Sequence, residues 1–422
     1  MSAPNGDATY VRRGFGLKSE VEGALAADYG GRMVELLRAR DYVLSADGVT
    51  VRLAHEFGFC YGVERAVDYA YQTRRKFPDR HIVLVGEIIH NPHVNARLEG
   101  MGIEILRPRL GADGTPDGFD FSGIRQDDVV LLPAFGVTID DFTTLREKGC
   151  VVVDTTCGSV LNVWKRVESY ARDGMTALIH GKYYHEETRA TASQVFKHPQ
   201  GGRYLVVRHM EEAQAVCDYI EGRGDREAFL QRFAHAASPG FDPDRDLARV
   251  GVANQTTMLA RESLAIGEAV GAAIERAHGA AYRAANFRTF DTICSATQDR
   301  QDAVRDMLRE PPDLMVVIGG FNSSNTISLA ALCAEVVPTY HVADASGIDP
   351  ETGRIHIREP GVVHNERTVA DWLPRSGPVT VGLTAGASTP NNKIGEAVAR
   401  IFASRGVDVA EHATFATEMA DR

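Results

Sequence analysis

Residues 151–167, VVVDTTCGSVLNVWKRV, pass from a short apolar run through a polar turn to one cysteine, Cys157, and then into an amphipathic stretch. The same order recurs twice, in VRLAHEFGFCYGVERAV (51–67) around Cys60 and in FRTFDTICSATQDRQDAV (287–304) around Cys294. Asp154-Thr155 and Asp291-Thr292 repeat one dipeptide ahead of the thiol. Cys157 lies 97 residues after Cys60 and 137 before Cys294, which suits three α/β units with the middle one lengthened. An internal threefold repeat is expected.

The rest of the chain has the same texture. Apolar runs at 82–85, 129–132, 151–153, 204–207, 314–318 and 379–383 alternate with helical patterns at 64–75, 159–172, 259–277, 299–308 and 391–402. That alternation predicts the α/β class, with three similar lobes built on small, mainly parallel sheets. The expected boundaries are an N-terminal extension over 1–50 and lobes over 51–157, 158–293 and 294–404, with a tail over 405–422. Two stretches read as loops outside the core: 107–123, rich in Gly, Pro and Asp, and an insertion in the second lobe at about 221–246.

Composition narrows the function. The 422 residues are 44% hydrophobic and 24% charged, with a formal charge of -11, which disfavours nucleic acid and anionic membranes as partners. No apolar run approaches the roughly 18–20 residues of a membrane helix. The first residues carry neither a signal-peptide core nor a transit-peptide bias, so a cytoplasmic location is expected. The six cysteines, at 60, 150, 157, 217, 294 and 333, contain no C-x-x-C pair.

A cysteine at a strand-to-helix turn sits beside unpaired backbone N–H groups and the positive end of the helix, which favours the thiolate. A lone cysteine there is ordinarily a small buried hydrophobe; three at equivalent positions point to an iron–sulfur cluster. With no fourth equivalent, one iron of a four-iron cluster stays open as a Lewis acid. Cys150, Cys217 and Cys333 lack the turn and are expected to pack in cores.

Two polar sets accompany the thiols. LMVVIGGFNSSNTISLA (314–330), VTVGLTAGASTPNNKIGEA (379–397) and VGVANQTTMLARES (250–263) each lead from a strand into hydroxyl, amide and backbone donors at a helix start, a pattern that suits phosphate. EIIHNPHVNARL (87–98) and IHGKYYHEETRATASQ (179–194) add His90, His93, His180, His185, Glu186 and Glu187. H-E-E-T is not the zinc-protease H-E-x-x-H. If extended, it puts His185 and Glu187 on one face. These residues alone leave open a [4Fe–4S] hydro-lyase acting on a phosphorylated substrate, a cluster-bearing sensor or regulatory protein, and a metal-free phosphate-binding module.

In order and spacing, GFCYGVERAV (58–67), EIIHNP (87–92), DTTC (154–157), HGKYYHEET (180–188), NQTT (254–257), DTICSATQDRQ (291–301), NSSN (322–325) and TAGAS (384–388) resemble the 4-hydroxy-3-methylbut-2-enyl diphosphate reductase family, from about Arg13 to about Phe402. The N-terminal GFG segment, LPAFG, HGKYYHEET and the insertion before Asp246 resemble its cyanobacterial and plastid branch. The resemblance implies a three-lobed trefoil around one [4Fe–4S] cluster per chain, held by Cys60, Cys157 and Cys294. It implies reductive dehydroxylation to isopentenyl and dimethylallyl diphosphates, the last step of the methylerythritol phosphate route, with the substrate hydroxyl on the open iron. Ferredoxin or flavodoxin is the implied electron donor.

Glu187 aligns with the proton-supplying residue and Thr256 with the threonine near the hydroxyl. His90, His185, Ser323, Ser324, Asn325 and Ser388 align with the diphosphate-binding set. The sequence departs at Phe135, where many members have histidine, with Lys182 as a candidate replacement, and at Gly158, where proline is usual.

Overall fold

The computed structural model describes residues 9–111, 114–198, 201–359 and 365–409; the start of the extension and the tail beyond 409 lie outside the described residues. Packing divides the chain into two units, one of residues Met1–Gly16, Thr73–Ile88 and Arg97–Cys294, the other of Leu17–Gln72, Ile89–Ala96 and Ser295–Arg422. The fold is α/β, with three sheets among the described residues. None of the described helices is long and apolar enough to cross a membrane.

The first unit holds two all-parallel sheets. One runs in the order Tyr10–Val11, Val151–Asp154, Val129–Leu132, Ile82–Val85, Ile103–Leu106. Its three central strands are buried throughout, which is why they read as unbroken apolar runs rather than alternating ones. Its edge comes from the extension, and the Tyr10 hydroxyl donates to Asp154 at 2.6 Å. The other sheet runs Phe287–Thr289, Val250–Asn254, Thr176–His180, Arg203–Val207.

The 221–246 stretch is part of the second sheet's core, contrary to expectation. It forms helix Arg226–Arg232 and a turn at Pro243–Asp246. Phe229, Phe233 and Phe241 are buried in one cluster with Leu205, Val216 and Val250. Phe229 and Phe233 stand one helical turn apart and share a face, while Gln231 and Arg232 between them face water. In the 107–123 stretch, Phe121 is likewise buried, against the core of the first sheet.

The second unit holds one eight-stranded sheet. Its main path is Ile348–Asp349, Arg354–Arg358, Thr339–Val342, Leu314–Ile318, Val379–Ala385, Val49–Leu53, Val43–Ala46, and Glu366–Ala370 pairs with Arg354–Arg358. The four central strands are parallel and the outer pairings antiparallel. Val49 pairs with Val379. Asp47 and Gly48, both at positive φ, make the two-residue hairpin that carries Val43–Ala46 back along its neighbour.

Candidate functional site

Each cysteine of the repeat stands directly before a helix: Cys60 before Tyr61–Lys76, Cys157 before Gly158–Arg172 and Cys294 before Ser295–Met307. All three are partly exposed, and none of the six cysteines is in a disulfide. Their backbone N–H groups repeat one contact. Cys60 donates to Ala387 (3.2 Å), Cys157 to Ala134 (2.9 Å) and Cys294 to Thr256 (3.3 Å). Each acceptor lies just past the end of a neighbouring strand, so the equivalence seen in the wording extends to the backbone.

Each of these three cysteines, partly exposed and directly before a helix, is of the residue type that ligates an iron–sulfur cluster. The other three thiols differ in kind. Cys150, Cys217 and Cys333 are buried. Burial pushes Cys217 up to about 11 and Cys333 up to about 12, and raises Cys150. They stay protonated at neutral pH.

In the first unit, the loops after Thr176–His180 and Val250–Asn254 hold a buried acid. The Glu187 carboxylate, 2% exposed, accepts the Thr256 backbone N–H at 2.6 Å. Gln255 locks the two loops together, accepting from the Lys182 backbone N–H (3.1 Å) and the Thr188 hydroxyl (3.0 Å). Residues 185 and 187 do not share an extended face, because the helix Glu186–Ser193 begins between them. His185 caps that helix instead, its Nδ1 accepting the Glu187 backbone N–H at 3.1 Å. With Nδ1 engaged as acceptor, the neutral ring carries its proton on Nε2.

Phe135 sets its ring edge-on to His185, centroids 5.7 Å apart at 81°. At this position the side chain offers an aromatic contact and no hydrogen-bond donor. Gly136 beside it is at positive φ and lies so close to the Trp164 ring that no Cβ fits. Gly158 opens its helix without a proline.

In the second unit, the loops after Leu314–Ile318 and Val379–Ala385 hold the neutral donors. Ser323 caps helix Ser324–Ala334, and the Asn325 side chain accepts the Ala387 backbone N–H at 2.9 Å. The Ser388 hydroxyl donates to the His90 carbonyl oxygen (3.1 Å), and Asn91 Nδ2 donates to the Ser388 carbonyl oxygen (2.8 Å). Asn322 Nδ2 donates to His90 Nδ1 at 3.3 Å, which again puts the ring proton on Nε2. Gly386 lies against the Thr326 hydroxyl, where a Cβ would collide. His90, Ser323, Ser324, Asn325 and Ser388 are all buried.

His93 packs edge-on to Tyr29, and His180 bonds Ser263 inside the second sheet's core, so neither joins these sets. Asn91, Gln255 and Asn322 were not singled out from the sequence, although each is next to a residue that was.

A family model described as LytB protein matches residues 51–402. The chain is 49% identical over 401 residues to the 4-hydroxy-3-methylbut-2-enyl diphosphate reductase of Gloeobacter violaceus, spanning 94% of this chain and 93% of that protein. It is 48% identical over 400 residues to the enzyme of the same name from Thermosynechococcus vestitus, spanning 94% and 95%. The solved structure of the E-1-hydroxy-2-methyl-but-2-enyl-4-diphosphate reductase from Plasmodium falciparum shares the fold, with a TM-score of 0.58 and 20% identity over 82% of this chain and 86% of that one.

Proposed function

Because the chain belongs to the LytB protein family, we infer that it reduces 4-hydroxy-3-methylbut-2-enyl diphosphate to isopentenyl and dimethylallyl diphosphates, the terminal step of the methylerythritol phosphate route. The observation that carries the site reading is the shared address of Cys60, Cys157 and Cys294, each directly before a helix. In this reading the three hold one [4Fe–4S] cluster per chain. When bound, the cluster supplies single electrons and an iron with an open position that polarises the C–O bond. Ferredoxin or flavodoxin in the cytoplasm is the proposed donor.

The chain's own residues bind, orient and protonate. Ser323, Ser324, Asn325 and Ser388 offer hydroxyl, amide and helix-start donors to the diphosphate, and His90 and His185 offer Nε2–H. Binding energy from this unreactive end positions the hydroxyl group. Glu187, held by the Thr256 backbone N–H, delivers a proton to the departing oxygen directly or through the Thr256 hydroxyl. Two electrons and two protons enter as one water leaves.

The test is an anaerobic preparation assayed for iron, sulfide and a four-iron spectrum, followed by addition of the diphosphate substrate. A spectrum that the substrate perturbs, with turnover that depends on a strong reductant, supports this function. Turnover without reductant identifies a hydro-lyase instead.

A further inference from the structure

Helix Ser295–Met307 buries a guanidinium that pairs with no carboxylate among the described residues. Arg300 is 3% exposed. Its Nη1 donates to the Ala296 carbonyl oxygen (2.7 Å), and its Nη2 donates to the carbonyl oxygens of Gly58 (2.6 Å) and Phe57 (3.4 Å). Its Nε is buried with no partner. The nearest acids on its own helix, Asp299 and Asp302, are exposed, and Asp302 is held by Gln298 and Arg305.

Arginine does not shed its proton in a protein, so this site keeps a full positive charge away from water. Carbonyl dipoles offset part of the desolvation; an anion nearby is the usual remainder. The two carbonyls that Nη2 grips belong to the turn leading to Cys60. Gly58 is two residues before that cysteine, within about 7 Å along the backbone. Gly58 is itself at positive φ and packed against Thr389, Asn391 and Ile394, so the turn has little room to shift.

We propose that Arg300 is the buried counter-charge of the cluster ligated by Cys60, and that this charge favours the cluster's uptake of an electron. The proposal rests on Cys60 being a ligand. Each one-electron reduction adds negative charge to the cluster, and a fixed positive charge in a low-dielectric surrounding stabilises the reduced form more than the oxidised one. A purely structural Arg300 would only clamp the turn through its hydrogen bonds, without moving the potential.

The two roles separate in Arg300→Met and Arg300→Lys, measured as anaerobic, cluster-loaded full chains by redox titration of the cluster's electron-paramagnetic signal. Arg300→Met should lower the equilibrium constant for one-electron uptake at least tenfold, a potential about 59 mV more negative. Arg300→Lys, which keeps the charge and loses the fork, should stay within about threefold of the unaltered protein. An iron-replete Arg300→Met at unchanged potential overturns the proposal. So does an Arg300→Lys shifted as far as Arg300→Met. If Arg300→Met holds no cluster, Arg300→Lys decides: loaded and unshifted it supports the counter-charge, and unloaded it refutes it. An unaltered protein that binds no iron overturns the ligand reading, a different failure from a loaded variant that does not respond.

Discussion

The strand-end loops of the two units share a backbone plan and differ in chemistry. In the first unit, helix Glu186–Ser193 opens on a buried carboxylate, Glu187, held by a backbone N–H of the neighbouring loop. In the second, helix Ser324–Ala334 opens on Ser323, Ser324 and Asn325, with Ser388 and His90 bonded beside them and no acid in the set. In a chain of net charge -11, the contrast places the first unit's loop acid where the proposed reaction needs a proton and leaves the second unit's loop donors without one. The second unit's donors to the anion are neutral, so none of them repels it.

The largest test of this division concerns what both units are proposed to share. Cys60→Ser in the second unit and Cys157→Ser in the first should each lose most iron and sulfide and reduce turnover below measurement, whereas Cys217→Ser and Cys333→Ser should keep the cluster. Iron retained in Cys60→Ser would confine the metal site to the first unit. Next in size, Glu187→Gln should cut kcat by about 10²–10⁴ with the cluster spectrum intact. Asn325→Ala should then cost about 10–100-fold in kcat/KM, chiefly through KM. If Glu187→Gln moved KM and Asn325→Ala moved kcat, the proposed division of labour would be wrong.

A last effect, on stability, leaves neutral-pH turnover alone. Burial lowers His180 in the first unit and His341 in the second to about 4 each. Between the ordinary value near 6.5 and about 4, the unfolded chain binds a proton that the folded ring refuses. Stability is therefore fully present above pH 6.5 and falls as pH drops through that window, by roughly 3 kcal/mol per ring. Urea midpoints from pH 7 to 5 should show the loss, and His341→Asn should halve it. A flat profile would mean that these rings are not buried neutral.

What the sequence disclosed was local. The Cys–helix order, the Ser323 cap and the apolar central strands are each specified within about ten residues. The errors came where one residue's role depended on distant packing. Phe229 and Phe233 were hidden by the charges around them, and their burial needs the Leu205 and Val250 strands to exist first. His185 and Glu187 were read on a strand's period although the helix starts between them. Asn325 reaching Ala387, and Arg300 reaching Gly58, span 62 and 242 positions, and no periodicity marks them. The Asp47-Gly48 hairpin, by contrast, is a short-range signal carried by two adjacent residues.

The pairing of Val49 with Val379 bears on how the protein is made. On a ribosome, the strands that flank Cys157 and Cys294 are complete once the chain has passed Thr289. The strand ahead of Cys60 waits for a partner 330 positions further on, some tens of seconds at about 5–20 residues per second. Of the three cysteine turns, the one nearest the N-terminus is therefore the last to have its strand pairing available.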